Sequence, residues 1–431
     1  MKKIFNRQID SSNFQKDVIV TFLTQVVKIV LSVATAAIVA QWLGPEGKGT
    51  LALALLVPGM LGIFLSGGIG LANVYFAGSQ RLDVAALTSN SVGITVLVTI
   101  LGFGVVIGLA AFGLLQALVP GVPVWIVLMA MLGFPTGLLS GFLSSILQGL
   151  QRIFTVNLIN LSQTVLTLAL TLFFVIICKL EILGAVLAPV ASGALSLFIL
   201  GILLYREGIV LTPSWSYPVL RSTLSFGLQG QIGNVLQFFN YRLDMFILNY
   251  FLGPANVGIY TVSVRLAELL WYLPDAVGFV IFPKAAATDS EEMNIFTPRI
   301  FRITLGLTAL GALILVLVGR PLINFVFSSA FSGAYAPMLV LLPGVIFLGG
   351  AKVLANEIAG RGYPKYNSIN AGLALVLTIV FDLILIPRYA VLGAALASTI
   401  AYTAIFFTAI GFYLTVSRGT KERSQVEVAA P

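Results

Sequence analysis

Charge is what this 431-residue chain has least of. Asp, Glu, Lys and Arg together make up 9% of it, against roughly 25% in an ordinary soluble domain. So few charges cannot clothe a water-soluble globule, and the composition excludes a soluble enzyme, a disordered protein and a nucleic-acid binder. Histidine is absent and Cys178 is the single cysteine. No disulfide can form within the chain, no Cys/His zinc site can be built, and imidazole acid–base catalysis is ruled out. No GxxxxGK[ST] loop is present, which excludes ATP hydrolysis by a P-loop. No segment between apolar runs is long enough to fold as a separate catalytic domain. Residues 1–17, with Lys2, Lys3, Arg7 and Lys16, lack the apolar core and cleavage site of a secretory signal. They read as a retained cytoplasmic amphipathic lead-in.

What fills the chain instead is hydrophobic, 58% of it. A bilayer span needs about 20 apolar residues. Charges, prolines and glycines divide the sequence into twelve such runs, at 18–42, 50–77, 85–113, 123–149, 155–178, 182–205, 221–252, 256–283, 299–319, 336–359, 367–386 and 390–416. With the N-terminus inside, sixteen of the 24 Lys and Arg lie on cytoplasmic segments. Lys48, Lys179, Arg320 and Arg388 lie outside. That bias is what the positive-inside rule requires. It places both termini in the cytoplasm. Lys28, Arg242, Arg265 and Lys352 remain, all within spans.

The sequence also repeats itself. Trp42-Leu43-Gly44-Pro45 with Gly49 matches Phe251-Leu252-Gly253-Pro254 with Gly258, a shift of 209. Leu183 to Ala188 matches Leu392 to Ala397 at the same shift, and Asn157 to Asn160 matches Asn367 to Asn370 at 210. Three matches in one order and register indicate a duplication. Six spans per copy is an even number, so both copies enter the membrane from the same side. The expected fold is therefore an all-α integral membrane protein of twelve transmembrane helices, in two six-helix lobes related by a parallel pseudo-two-fold repeat. The expected segments are a cytoplasmic N-terminus 1–17, a lobe 18–205, a cytoplasmic linker 206–220, a lobe 221–416 and a cytoplasmic tail 417–431.

Polar residues inside the spans fall on stripes. Thr21, Thr24, Gln25, Lys28, Ser32 and Thr35 share one helical face. Asn234, Gln237, Tyr241 and Asp244 share another, and shifting them by 209 superposes them on Gln25, Lys28, Ser32 and Thr35. Equivalent stripes in both copies point to a hydrated cavity lined by spans one and seven. Thr261, Arg265, Glu268, Tyr272 and Asp275 form a third stripe in span eight. Spans seven and eight are antiparallel neighbours, so Arg242 is level with Glu268 and Asp244 with Arg265. Ion pairs are expected at both levels, serving either mutual neutralisation or a ligand. Lys28 has no comparable partner in its own hairpin, which suits an anion. Lys352 and Asn356 share a face of span ten, where snorkelling and ligand contact are both open. Glu357 and Asp382 are expected to be interfacial. Asp244, Glu268 and Asp275 have the chemistry and depth of H+ or Na+ coupling sites; no other cofactor is expected.

The polar first span ending in Trp42-Leu43-Gly44-Pro45-Glu46-Gly47-Lys48-Gly49 carries a resemblance. So does Tyr241-Arg242-Leu243-Asp244, followed by Leu252-Gly253-Pro254 and Gly258-Ile259-Tyr260. The chain resembles the polysaccharide flippases, the Wzx-type O-antigen and exopolysaccharide transporters of the MATE-like superfamily. The resemblance implies a substrate: an oligosaccharide on undecaprenyl pyrophosphate, moved across a bacterial plasma membrane by alternating access for surface-polymer synthesis. It implies that Lys28 with Arg242, Arg265 or Lys352 holds the pyrophosphate. Gln25, Asn234, Gln237 and Tyr241 would bond sugar hydroxyls, and Trp271 and Tyr272 would stack on sugar rings. A polymerase and glycosyltransferases would be partners. Three alternatives stay open. A MATE-type exporter would want an acidic cavity, a lipid II flippase resembles a fourteen-span pattern, and a glycosyltransferase or polymerase would need a large loop.

Overall fold

The computed structural model describes residues 11–79, 81–206, 216–287 and 290–429, and within these the side chains from Leu23 to Ser417 except Pro283, Ala286, Ala287 and Ser290. Most of the expected 206–220 linker, residues 1–10 and the side chain of Thr21 lie outside the described residues. The described residues are helical throughout apart from short turns. In hydrocarbon each backbone N–H and C=O must be satisfied within the segment, and the helix does this locally.

The first copy comprises α1 (Ser11–Leu65), α2 (Ile69–Ser79), α3 (Val84–Ala111), α4 (Leu114–Leu118), α5 (Val124–Met131), α6 (Phe134–Gly149), α7 (Ile153–Thr171) and α8 (Glu181–Arg206). The second comprises α9 (Tyr217–Leu252), α10 (Pro254–Glu268), α11 (Tyr272–Ala287), α12 (Ser290–Val326), α13 (Tyr335–Gly360), α14 (Lys365–Tyr389) and α15 (Val391–Ala429). Nine segments of the described residues have the length and apolarity of a span. One of them, Leu23–Leu65, is two legs, because Gly44 (φ 63°, ψ −173°) reverses the chain inside α1. Adding α9 and the α10–α11 pair, which are long but too polar for that count, gives the expected twelve helical legs.

Three legs are broken at glycine or beside proline. Gly67 and Gly68 (φ 56° and 72°) separate α1 from α2. Gly133, just before Pro135, separates α5 from α6. A 3-10 turn, Leu269–Trp271, separates α10 from α11 just before Pro274. The α1–α2 break frees the Ile63 carbonyl, and Gln231 of α9 donates to it.

The duplication is visible in local geometry. Gly44 and Gly253 (φ 78°, ψ 176°) adopt matching left-handed turns 209 residues apart. Glu181 and Ala390, also 209 apart, share positive φ (47° and 53°). Arg152 N–H donates to Leu147 O at the end of α6, and Tyr363 N–H to Ile358 O at the end of α13. That is one Schellman-type closure in two copies. Helix approaches repeat as well. Gly133 packs on Val190 as Gly344 packs on Thr399, and Gly184 packs on Phe174 as Gly393 packs on Leu385.

By packing the chain forms two compact units. One is Met1–Leu43, Ala54–Gln116 and Val122–Gln231, and the other is Gly44–Leu53, Ala117–Gly121 and Ile232–Pro431. The Gly44–Leu53 turn thus packs within the second unit, where it meets its own repeat equivalent. A Cβ on Gly49 would lie 2.7 Å from Pro254 C and 2.8 Å from Gly258 N. A Cβ on Gly258 would lie 2.8 Å from Pro45 C and 3.1 Å from Gly49 N. Pro45 and Pro254 are equivalents, as are Gly49 and Gly258, so the contact is reciprocal in the manner of an isologous interface.

Candidate functional site

The second unit gathers most of the intramembrane charge. Arg242 on α9 donates from Nη1 to Glu268 Oε1 on α10 at 3.0 Å, the pair expected from their equal depth. The companion pair is not formed. Asp244 instead accepts from the Tyr260 hydroxyl at 2.5 Å and from the Met245 N–H at 2.8 Å. Tyr260, two turns before Glu268 on α10, takes the place opposite Asp244. Arg265 lines an open cavity of about 150 Å³ with Glu268, Leu269, Trp271, Tyr272 and Asp275.

Lys352 on α13 is not a snorkelling cation. Its Nζ lies 2.9 Å from Asp275 Oδ1 and 4.4 Å from the centre of the Trp271 ring. A cation over an indole face is attracted by the ring quadrupole. Trp271 in turn packs against Tyr241 (5.0 Å between centroids) and Tyr402 (6.0 Å). Ion pairs and aromatic rings therefore alternate through α9, α10, α11, α13 and α15.

A further carboxylate, Asp382, is buried in the same unit. Asp382 on α14 is 0% exposed, and neither of its oxygens has a hydrogen-bond partner. The helices explain its position. Thr378, one turn earlier, donates to Asn240 Oδ1 at 3.1 Å. Asn240 is one turn before Asp244. The same four-residue step along α9 and α14 brings Asp244 (4% exposed) and Asp382 close enough for their charges to interact. Ser398, buried on α15, reaches the same Tyr260 hydroxyl at 3.3 Å. The i, i+4 pairs Asn240/Asp244 and Thr378/Asp382 are legible in the sequence, but nothing local says that they face each other.

Glu357 is also buried within the protein, at 0% exposure. It pairs with Arg361 one turn on, whose guanidinium also donates to Asn294 at 2.9 Å and lies 5.8 Å from the Tyr413 ring centre. An ion pair within one helix turn carries its own neutralisation, which permits the burial.

The remaining candidates are not part of this cluster. Asn234 is exposed and Gln237 half-buried, on α9 ahead of the ionic residues. Gln25, exposed, and Lys28, half-buried, belong to the first unit. Thr35 turns back on its own helix, donating to Leu31 O at 2.9 Å.

The chain matches the family model described as polysaccharide biosynthesis protein over residues 14–287. It is 22% identical over 388 residues to a putative O-antigen transporter of Shigella flexneri, covering 86% of this chain and 90% of that one. Matches to curated archaeal and staphylococcal proteins are local, and the chain spans 40–46% of those relatives' length. In structure it is similar to the lipid II flippase MurJ in an inward closed conformation, with a TM-score of 0.76, 15% identity, and 93% and 90% of the two chains covered. It is also similar to an inward-facing multidrug resistance MATE family transporter, with a TM-score of 0.71, 16% identity, and 92% and 96% covered. At these identities the two structures show the fold alone.

Proposed function

Because the chain belongs to the polysaccharide biosynthesis protein family, we propose that it is a flippase for an undecaprenyl-pyrophosphate-linked oligosaccharide, working by alternating access in a bacterial plasma membrane. The observation that carries the reading is the intramembrane cavity lined by Arg265, Glu268, Trp271, Tyr272 and Asp275. Its chemistry suits a glycosyl phosphate. Guanidinium neutralises phosphate oxygens, carboxylates accept from sugar hydroxyls, and aromatic faces pack on the apolar faces of sugar rings. The lipid tail stays in the bilayer while the polar head crosses. Lys28, Gln25, Asn234, Gln237, Tyr241, Arg242 and Lys352 complete the proposed set of substrate contacts. The lobes 18–205 and 221–416, with both termini cytoplasmic, are the proposed moving parts. A polymerase and glycosyltransferases are the proposed partners.

Coupling to an H+ or Na+ gradient is the proposed energy source. Asp244, Glu268 and Asp275 are the proposed ion sites, with Asp382 buried beside Asp244. The exporter alternative is less well supported. The Trp271 face that would receive an organic cation is already covered by Lys352.

The test is reconstitution. Purified protein in liposomes should carry a fluorescent undecaprenyl-pyrophosphate oligosaccharide between leaflets. Lys28→Ala should lose export in cells with the protein still in the membrane. In a deletion strain the sugar-lipid should accumulate on the cytoplasmic leaflet; drug sensitivity without that accumulation would favour the exporter.

A further inference from the structure

Trp271 is 7% exposed, yet its indole N–H has no hydrogen-bond partner. A buried indole N–H normally finds one. The ring borders two cavities. One is the open cavity with Arg265 and Asp275. The other measures about 10 Å³ and is lined among others by Tyr241, Asp244, Tyr260, Glu268, Trp271 and Tyr402. That is about the room one water needs. Glu268 and Trp271 line both, and so form the partition between the open cavity and Asp244.

We propose that the small cavity holds one water, which accepts a hydrogen bond from Trp271 Nε1 and relays a proton between Glu268 and Asp244. The relay rests on the ion-coupled flippase reading for its purpose, because it would bring the coupling proton to the buried carboxylates. Every proton is accounted for. A protonated Glu268 gives up its O–H proton to the water oxygen. The water passes one of its own protons to a carboxylate oxygen of Asp244. Water is regenerated, Glu268 returns to Arg242 as a carboxylate, and no electrons change hands. Asp244 can receive the proton because each carboxylate oxygen has a second lone pair beyond those taken by Tyr260 and Met245. The titratable and charged groups around Glu268 and Asp244 are Tyr241 and Arg242 on α9, Tyr260 and Arg265 on α10, Asp275 on α11, Lys352 on α13, Asp382 on α14 and Tyr402 on α15. Of these, Arg242 holds the charged form in place, and the open cavity supplies the proton.

The experiment is an infrared measurement on the full-length protein in detergent after a jump to lower pH. A protonated-carboxyl band that disappears in Asp244→Asn reports proton arrival at Asp244. In an Arg242→Gln, Glu268→Gln double variant, which removes both charges together, that band should appear at least tenfold more slowly. In Trp271→Phe, which keeps a ring and loses the N–H, it should appear severalfold more slowly. Both should reach the wild-type amplitude. Unslowed arrival in either variant would overturn the relay, as would a wild-type protein in which Asp244 never protonates. If the double variant does not fold, Trp271→Phe decides alone. No lipid-linked sugar is needed, so a failure of the flippase reading in liposomes is a separate result.

Discussion

The reciprocal contact between Gly49 and Gly258 makes a quantitative prediction. Both residues sit in helices, where alanine is ordinarily better than glycine by up to about 1 kcal/mol. At these positions a methyl group meets backbone. The nearest non-oxygen atoms would be 2.7–2.8 Å from the new Cβ. Ordinary van der Waals separation is about 3.5–4.0 Å. A flexible side chain can swing aside, but Pro45 and Pro254 hold the opposing carbonyls. Overpacking costs about 1–3 kcal/mol, and a contact with no soft partner belongs at the upper end. Gly258→Ala should therefore lose roughly 2 kcal/mol net, about a 30-fold change in the folded ratio. Gly306, with open space around its would-be Cβ, is the control, and alanine there should be neutral or stabilising. Steric-trap unfolding in bicelles reads both. The sharper test is the pair. Once one substitution has pushed the turns apart, the second has little left to displace. Gly49→Ala with Gly258→Ala should thus cost clearly less than the sum of the singles, with a coupling of about 1 kcal/mol or more. Additive losses, or a Gly258→Ala protein as stable as the Gly306→Ala control, would refute the reasoning.

Three further outcomes follow from the ionic cluster. Arg242→Glu or Glu268→Arg alone should lower membrane accumulation, and the two together should restore it, read by quantitative blot. Failure of the swap would mean that a ligand, not the partner, fixes these charges. Lys352→Met should leave Asp275 without its cation and reduce polymer export more than Asp275→Asn does, because Lys352 also covers Trp271; equal effects would reduce its role to the salt bridge. Asp382→Asn should stabilise the protein by about 1–3 kcal/mol, since it removes a buried carboxylate with no bonded partner, while abolishing gradient-driven transport. A destabilised variant would show that Asp382 is a structural residue.

What was legible in the sequence follows from which constraints are local. Bilayer thickness sets span length, and a turn such as Leu-Gly-Pro needs a glycine in the left-handed region. Both leave marks in a single stretch of chain, so the legs and the duplication could be read. Arg242 with Glu268 was legible because a hairpin fixes relative depth. Asp244 with Arg265 was misread because equal depth does not say which residue of α10 meets Asp244, and Tyr260 does. Lys352 with Asp275 joins legs eight and ten, which are not neighbours in sequence, and no local pattern couples them. Asp382 looked interfacial because position along a span was the only coordinate available. Its burial depends on Thr378 meeting Asn240 across α14 and α9.

The duplication also shows where the two copies diverged. Under the shift of 209, Glu268, Trp271 and Tyr402 correspond to Gly59, Gly62 and Gly193. Under the shift of 211 that relates Gly133 to Gly344, Lys352 corresponds to Gly141. Four positions that carry charge or a ring in the second unit carry no side chain in the first, and a Cβ on Gly59 or Gly141 would meet nothing within 4 Å. Divergence after a common scaffold explains this better than separate optimisation of each half. The turns and close helix approaches are kept in both copies because the fold requires them twice. An ionic network within membrane spans is costly to assemble unless its charges pair, so one copy carries it whole. Spreading the same charges over both copies would leave two incomplete networks, each with unpaired groups in a low-dielectric interior. The first copy, relieved of that cost, keeps only Lys28 in mid-span, free of a competing carboxylate on its own leg. The second unit thus holds the ionic network, and the first carries Lys28 on its first leg.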